Sequence, residues 1–72
     1  MTMKAKRRVR LHLQLPKGQT QTVEGLQVGR RPIGGHYVLL TPKIIESAET
    51  SISVDGHLEV PAERVIYLEV LG

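Results

Sequence analysis

The chain has 72 residues, a mass of 8.0 kDa, no cysteine and a formal charge of +3. That is room for one small module, and it excludes multi-lobed enzymes, disulfides, thiolate chemistry and cysteine-based zinc sites. A chain this short buries only about 60% of the surface that its unfolded form exposes, so assembly with copies of itself or docking on a larger body is the remaining way to add buried area.

Residues 1–7 read as a basic N-terminal arm, and residues 8–72 as one small β domain. Lys4, Lys6, Arg7, Arg8 and Arg10 place five cations within seven residues. From Arg8 to Leu15 polar and apolar residues alternate, the period of a half-buried strand, with Val9, Leu11, Leu13 and Leu15 on one face. The alternation leaves no continuous apolar stretch behind the basic start, and no run approaches the ~18 residues that span a bilayer. A cytoplasmic location without membrane contact is the expectation.

Pro16-Lys17-Gly18-Gln19 predicts a turn. Thr20 to Val28 is β-prone, with Thr22, Val23, Leu26 and Val28, and holds Gly25 where a strand bends or bulges. Gly29 to Gly35 reads as a loop, followed by a compact apolar strand, His36 to Thr41, that Pro42 ends. Residues 42–51 are read as irregular strand and loop in preference to a helical turn, because no cap is evident. Ile52-Ser53-Val54 and His57 to Val60 flank Asp55-Gly56, the signal of a tight hairpin. After a turn at Pro61 to Arg64, Val65 to Val70 closes the chain as a last strand. Five or six short strands with turns between them predict an all-β fold, a small closed barrel in which closure removes most of the exposed edge.

The apolar 40% of the sequence has Tyr37 and Tyr67 as its sole aromatics, so the core falls to Val, Leu and Ile, with both tyrosines expected inside it. Leu58, Val60, Ile66, Leu68 and Val70 leave the final strands apolar on both faces, which implies cover on both sides and makes these residues the candidate interface between copies.

No catalytic or metal site and no cofactor is expected. His12, His36 and His57 stand alone, without a second histidine or a carboxylate at ligand spacing, and Ser47, Ser51 and Ser53 lack a base and an orienting group. The charge is more informative. Residues 1–31 carry eight basic side chains against Glu24 alone, a net +7, whereas residues 32–72 carry Lys43 and Arg64 against six carboxylates, a net −4. This division suits either an anionic partner for the first half or contacts between basic and acidic surfaces of neighbouring copies. Lys4, Lys6, Arg7, Arg8, Arg10, Arg30 and Arg31 are the candidate contacts, the last two in a glycine-rich loop whose guanidinium and N–H groups suit phosphate. Scarce aromatics argue against stacking of single-stranded bases, so nucleic acid would be bound without sequence preference.

From end to end the glycines and apolar pairs resemble the bipartite pattern of the Sm and Sm-like family, five-stranded barrels of the SH3-like kind that assemble as rings. Its first half is similar to Val9-Arg-Leu-His-Leu, the Lys17-Gly18 turn, Gly25-Leu26 and His36-Tyr-Val-Leu-Leu, and its second to Gly56 through Leu68. Where that family carries the Asp and Asn of its RNA pocket, this chain has residues near Pro32 and His36; where it carries Arg-Gly, this chain has Pro61-Ala62. The basic start, the bent strand and the closing Glu59-Val-Pro segment also resemble short capsid-associated proteins of actinobacterial tailed phages. These likenesses imply a non-enzymatic, oligomerising structural or protein-interaction module, a minor virion protein assembled in the host cytoplasm on a larger virion protein. The alternative they imply is an RNA-binding Sm-like ring.

Overall fold

In the computed structural model residues 6–72 are described; Lys4 and the rest of residues 1–5 lie outside the described residues. The described chain is all-β, with strands β1 (Lys6–Gln14), β2 (Thr20–Val28), β3 (His36–Ile45), β4 (Ser51–Ser53), β5 (His57–Pro61) and β6 (Val65–Val70), and short 3-10 turns at Pro16–Gly18 and Ala62–Arg64. Every pairing is antiparallel: β2 lies between β1 and β3, β6 lies on the far side of β1, and β4 and β5 share the far side of β3.

The alternation in β1 sets the phase of the sheet. It buries Val9, Leu11 and Leu13, while Leu15, past the strand end, is half-buried. Unbroken register from Lys6↔Val28 to Gln14↔Thr20 then turns Val23, Gly25 and Gln27 of β2 inward, with Leu26 and Val28 on the opposite face. Val23, Leu39 and Val60 complete the core, with Tyr37, Ile44, Leu58, Val65 and Leu68 packed against it. Since Val60 and Leu68 come from opposite ends of the strand order yet join one cluster, the sheet is rolled around its inner face.

The roll is made at a crease that crosses three strands. Glu24 pairs with Lys43 and Leu26 with Leu40, so Thr41 and Pro42 together oppose the single residue Gly25, a β-bulge. Thr41 takes φ of 46°, and the next break along the crease is Val54–Gly56, where the Val54 N–H donates to the Pro42 carbonyl at 2.9 Å. A Cβ on Gly25 would lie 3.0 Å from the Leu40 carbonyl oxygen and 3.1 Å from Leu39 Cβ.

Several expectations change here. Lys6 and Arg7 belong to β1 and not to an arm. Pro42 does not end the third strand, because at a bulge its missing N–H breaks no ladder, and β3 continues to Ile45. Asp55-Gly56 is not a hairpin: its two flanks are consecutive pieces of one antiparallel partner of β3, interrupted opposite the bulge. Among the described residues the sheet has six strands and is not closed, since β5 and β6 do not pair; the Ala62–Arg64 turn spans the gap, tied by the Ala62 N–H to the Gly35 carbonyl at 2.9 Å. Tyr67 is 55% exposed and outside the core.

Gly25→Val is expected to destabilise the chain by about 1–3 kcal/mol through overpacking against Leu39 and Leu40, the strand backbone itself being unstrained at Gly25. Urea unfolding of the two proteins checks this; equal midpoints would mean that the crease yields freely.

Candidate interaction surface

Antiparallel pairing brings sequence-distant cations together. Lys6 pairs with Val28, so Arg30 and Arg31 follow within three residues of the strand end beside Lys6, Arg7 and Arg8. The loop they occupy is held: Ile33 and His36 exchange backbone hydrogen bonds of 2.7 and 3.1 Å. Between them Gly34 and Gly35 both take positive φ, 59° and 81°, the conformation of a two-residue hairpin turn that residues with a Cβ rarely adopt. Lys6, Arg30 and Arg31 are exposed and make no ion pair among the described residues. Glu46 and Glu49 lie in the turn at the opposite end of β3. The result is a basic pole.

The other candidate cations are engaged within the sheet. Arg10 donates to Glu24 at 2.9 Å, and the Arg8 Nε approaches the second Glu24 oxygen at 3.4 Å. The hydrogen bond from Arg10 holds the Glu24 carboxyl below its ordinary value despite the opposing effect of burial, with Arg8 adding to the same direction. Arg7 points to the inner face, where its Nε donates to the Gln27 Oε1 at 3.0 Å. Gln27 is fully buried, and its Nε2 has no partner among the described residues. Three of the seven expected contacts therefore stiffen the fold, Lys4 lies outside the described residues, and three form the pole.

The candidate interface between copies divides in the same way. Val60 is 4% exposed and belongs to the core, and Leu58 and Leu68 pack against it, so the side chains of these three are turned to the chain's own core. Ile66 and Val70, by contrast, are 52% and 50% exposed.

Two histidines do have carboxylate neighbours, unlike the reading by spacing. His57 Nε2 lies 3.0 Å from Glu59, two residues on along β5, a proximity that the alternation of a strand makes visible in the sequence. His12 Nε2 lies 3.2 Å from Glu69, its Nδ1 lies 3.4 Å from the Thr22 hydroxyl, and its ring stacks on Tyr67 with centroids 4.1 Å apart. Glu69 is 57 positions away from His12, and no local pattern announces that contact. Among the described residues no group of three or more His, Asp or Glu side chains is placed to share a metal ion.

Comparison of the chain with protein-family models, curated proteins and solved structures finds no match. What the surface does has to be read from its own geometry.

Because the folded chain holds Glu24 ionised to lower pH than the unfolded chain does, its contribution is complete above the ordinary carboxylate value of about 4.3. It is lost as pH falls through the lower folded value. Glu24→Gln is expected to cost about 1 kcal/mol at pH 6 and to flatten the decline in stability between pH 6 and pH 3. Urea titrations across that range check both; an unchanged slope would remove Glu24 as a source of acid sensitivity.

Proposed function

We propose that this chain is a non-enzymatic structural or protein-interaction module that assembles with copies of itself and meets an acidic protein surface through its basic pole. In this reading the rolled sheet is a variant of the Sm-like or SH3-like barrel left open between β5 and β6, and its setting is the virion that the likeness to short phage proteins implies. The observation that carries the proposal is the convergence of Lys6, Arg30 and Arg31 at one end of the sheet, exposed and away from the Glu46 and Glu49 turn.

The alternative is a nucleic-acid partner, for which phosphate contacts would suffice without base recognition. The aromatics favour protein. Tyr37 packs against the core and Tyr67 is stacked on His12, on the β6 side of β1 away from β2 and its loop, so neither offers a stacking platform beside the cations.

Replacing Lys6, Arg30 and Arg31 with Ser is expected to leave the melting temperature within a few degrees of the parent, since none of the three makes an ion pair among the described residues. The same variant is expected to lose binding to an acidic protein partner or incorporation into a particle. Light scattering on nuclease-treated protein, followed by DNA and RNA binding at several salt concentrations, separates the readings. A variant that assembles normally but loses a tight, steeply salt-dependent affinity for nucleic acid would replace the protein partner with a nucleic-acid one.

A further inference from the structure

β6 has β1 on one side and no strand on the other among the described residues. Its hydrogen-bonding phase follows from one contact: the Leu71 N–H donates to the Arg8 carbonyl at 2.9 Å. In an antiparallel ladder directly opposed residues alternate between bonded and non-bonded pairs. With Val9 opposite Val70 and Leu11 opposite Leu68, the pairs at Arg8, Arg10 and His12 are the bonded ones. The N–H and C=O groups of Leu68 and Val70 therefore point away from β1, toward the free edge.

Natural edge strands are blunted by lysine, proline, inward charges or bulges. β6, Val-Ile-Tyr-Leu-Glu-Val, has neither lysine nor proline, its one charge, Glu69, is already turned to His12, and its bulge is confined to its start, where Val65 and Ile66 share Leu13. Ile66, Tyr67 and Val70 are each at least half exposed. The free edge of β5 differs, with Pro61 at its end and the His57–Glu59 pair on its face.

We infer that two copies of this chain join through β6, antiparallel about a twofold axis at Leu68, so that the sheet continues from one copy into the next. The pairing is self-complementary. Leu68 meets Leu68 as a bonded pair, Tyr67 faces Glu69, where its hydroxyl can donate to the carboxylate, and Val70 reaches Ile66 at the bulge that starts β6. No like charges oppose, because Glu69 falls across from Tyr67 and not from its own copy, and Tyr67 carries His12 behind it. This inference rests on the self-associating reading above and names the surface that it uses.

Amide exchange followed by NMR over a concentration series, with light scattering on the same nuclease-treated full chain, tests it. The mass is expected to rise to an even multiple of 8.0 kDa, and the Leu68 and Val70 amides to become protected with the same concentration dependence. Val70→Lys, at an exposed position, is expected to fold and to weaken association at least tenfold. An Ile66→Cys/Val70→Cys chain supplies a second readout: its thiols, about 13 Å apart along one strand at ~3.3 Å per residue, cannot bridge internally, so oxidation is expected to give a covalent dimer that neither single variant gives. Self-association with freely exchanging Leu68 and Val70 amides would overturn this interface and leave the oligomeric reading standing. A monomer at millimolar concentration would overturn both.

Discussion

The close passage of β2 beneath the bulge of β3 is the constraint on which the rest of the structure depends. At Gly25 the Leu40 carbonyl comes so near that a single added carbon would sit at 3.0 Å from it, and that proximity lets Thr41 and Pro42 share one partner. Without the bulge, β3 would run straight over its ten residues and carry Leu39 and Ile44 away from a common center. With it, β5 curls back far enough for Val60 to touch the cluster that Leu68 reaches from the other end of the sheet. Six buried apolar residues form the core among the described residues, and they suffice because the crease brings strands from both ends to the same point.

The phase that β1 imposes has a polar consequence. Val9 opposite Gly25 and Leu11 opposite Val23 force Gln27 inward opposite Arg7, so the end of the sheet nearest the basic loop has an amide and a guanidinium where an apolar pair would pack more simply. A buried amide is costly unless bonded, and the Arg7 hydrogen bond satisfies the oxygen of Gln27 but not its nitrogen. The apolar core is thus concentrated in the middle of β1, and the Lys6 end of the sheet is stabilised by polar contacts.

Strand positions were legible wherever local chemistry decides them. The alternation of β1, the β-prone run Thr20–Val28, the last strand and the turns all follow from side-chain period, glycine and proline, and so does the importance of Gly25. Partnership was not legible. Asp55-Gly56 carries the local signal of a hairpin, but the choice between pairing with each other and pairing with β3 depends on how much edge β3 offers, a property of residues 36–45 taken together. Likewise the sequence marks Arg8, Arg10, Arg30 and Arg31 alike as cations. Only the register distinguishes the two beside Glu24 from the two beyond Gly29. The interface candidates divide in the same way: a strand apolar on both sides does not reveal which side its own core has taken, and Val60 is buried where Ile66 is exposed.

The division of charge between the halves of the sequence does not become a division of the molecule into two faces. β1 lies between β2 and β6, and its Arg10 stands in a cross-strand row with Glu24 on one side and Glu69 on the other; beyond Glu24 the row continues to Lys43. Alternating signs along that row neutralise the middle of the sheet, as cross-strand pairs of opposite charge do. Cations in excess of this row have to appear elsewhere, and the connectivity puts them where β1 begins and β2 ends. An edge strand whose one carboxylate is already matched to His12 can then approach another copy of itself without repulsion, while the unmatched cations stay at the pole beside the start of β1 and the end of β2. In the proposed function, self-association and capture of an anionic partner would be separate properties of one small sheet, the first set by the backbone groups of β6 and the second by the ends of β1 and β2.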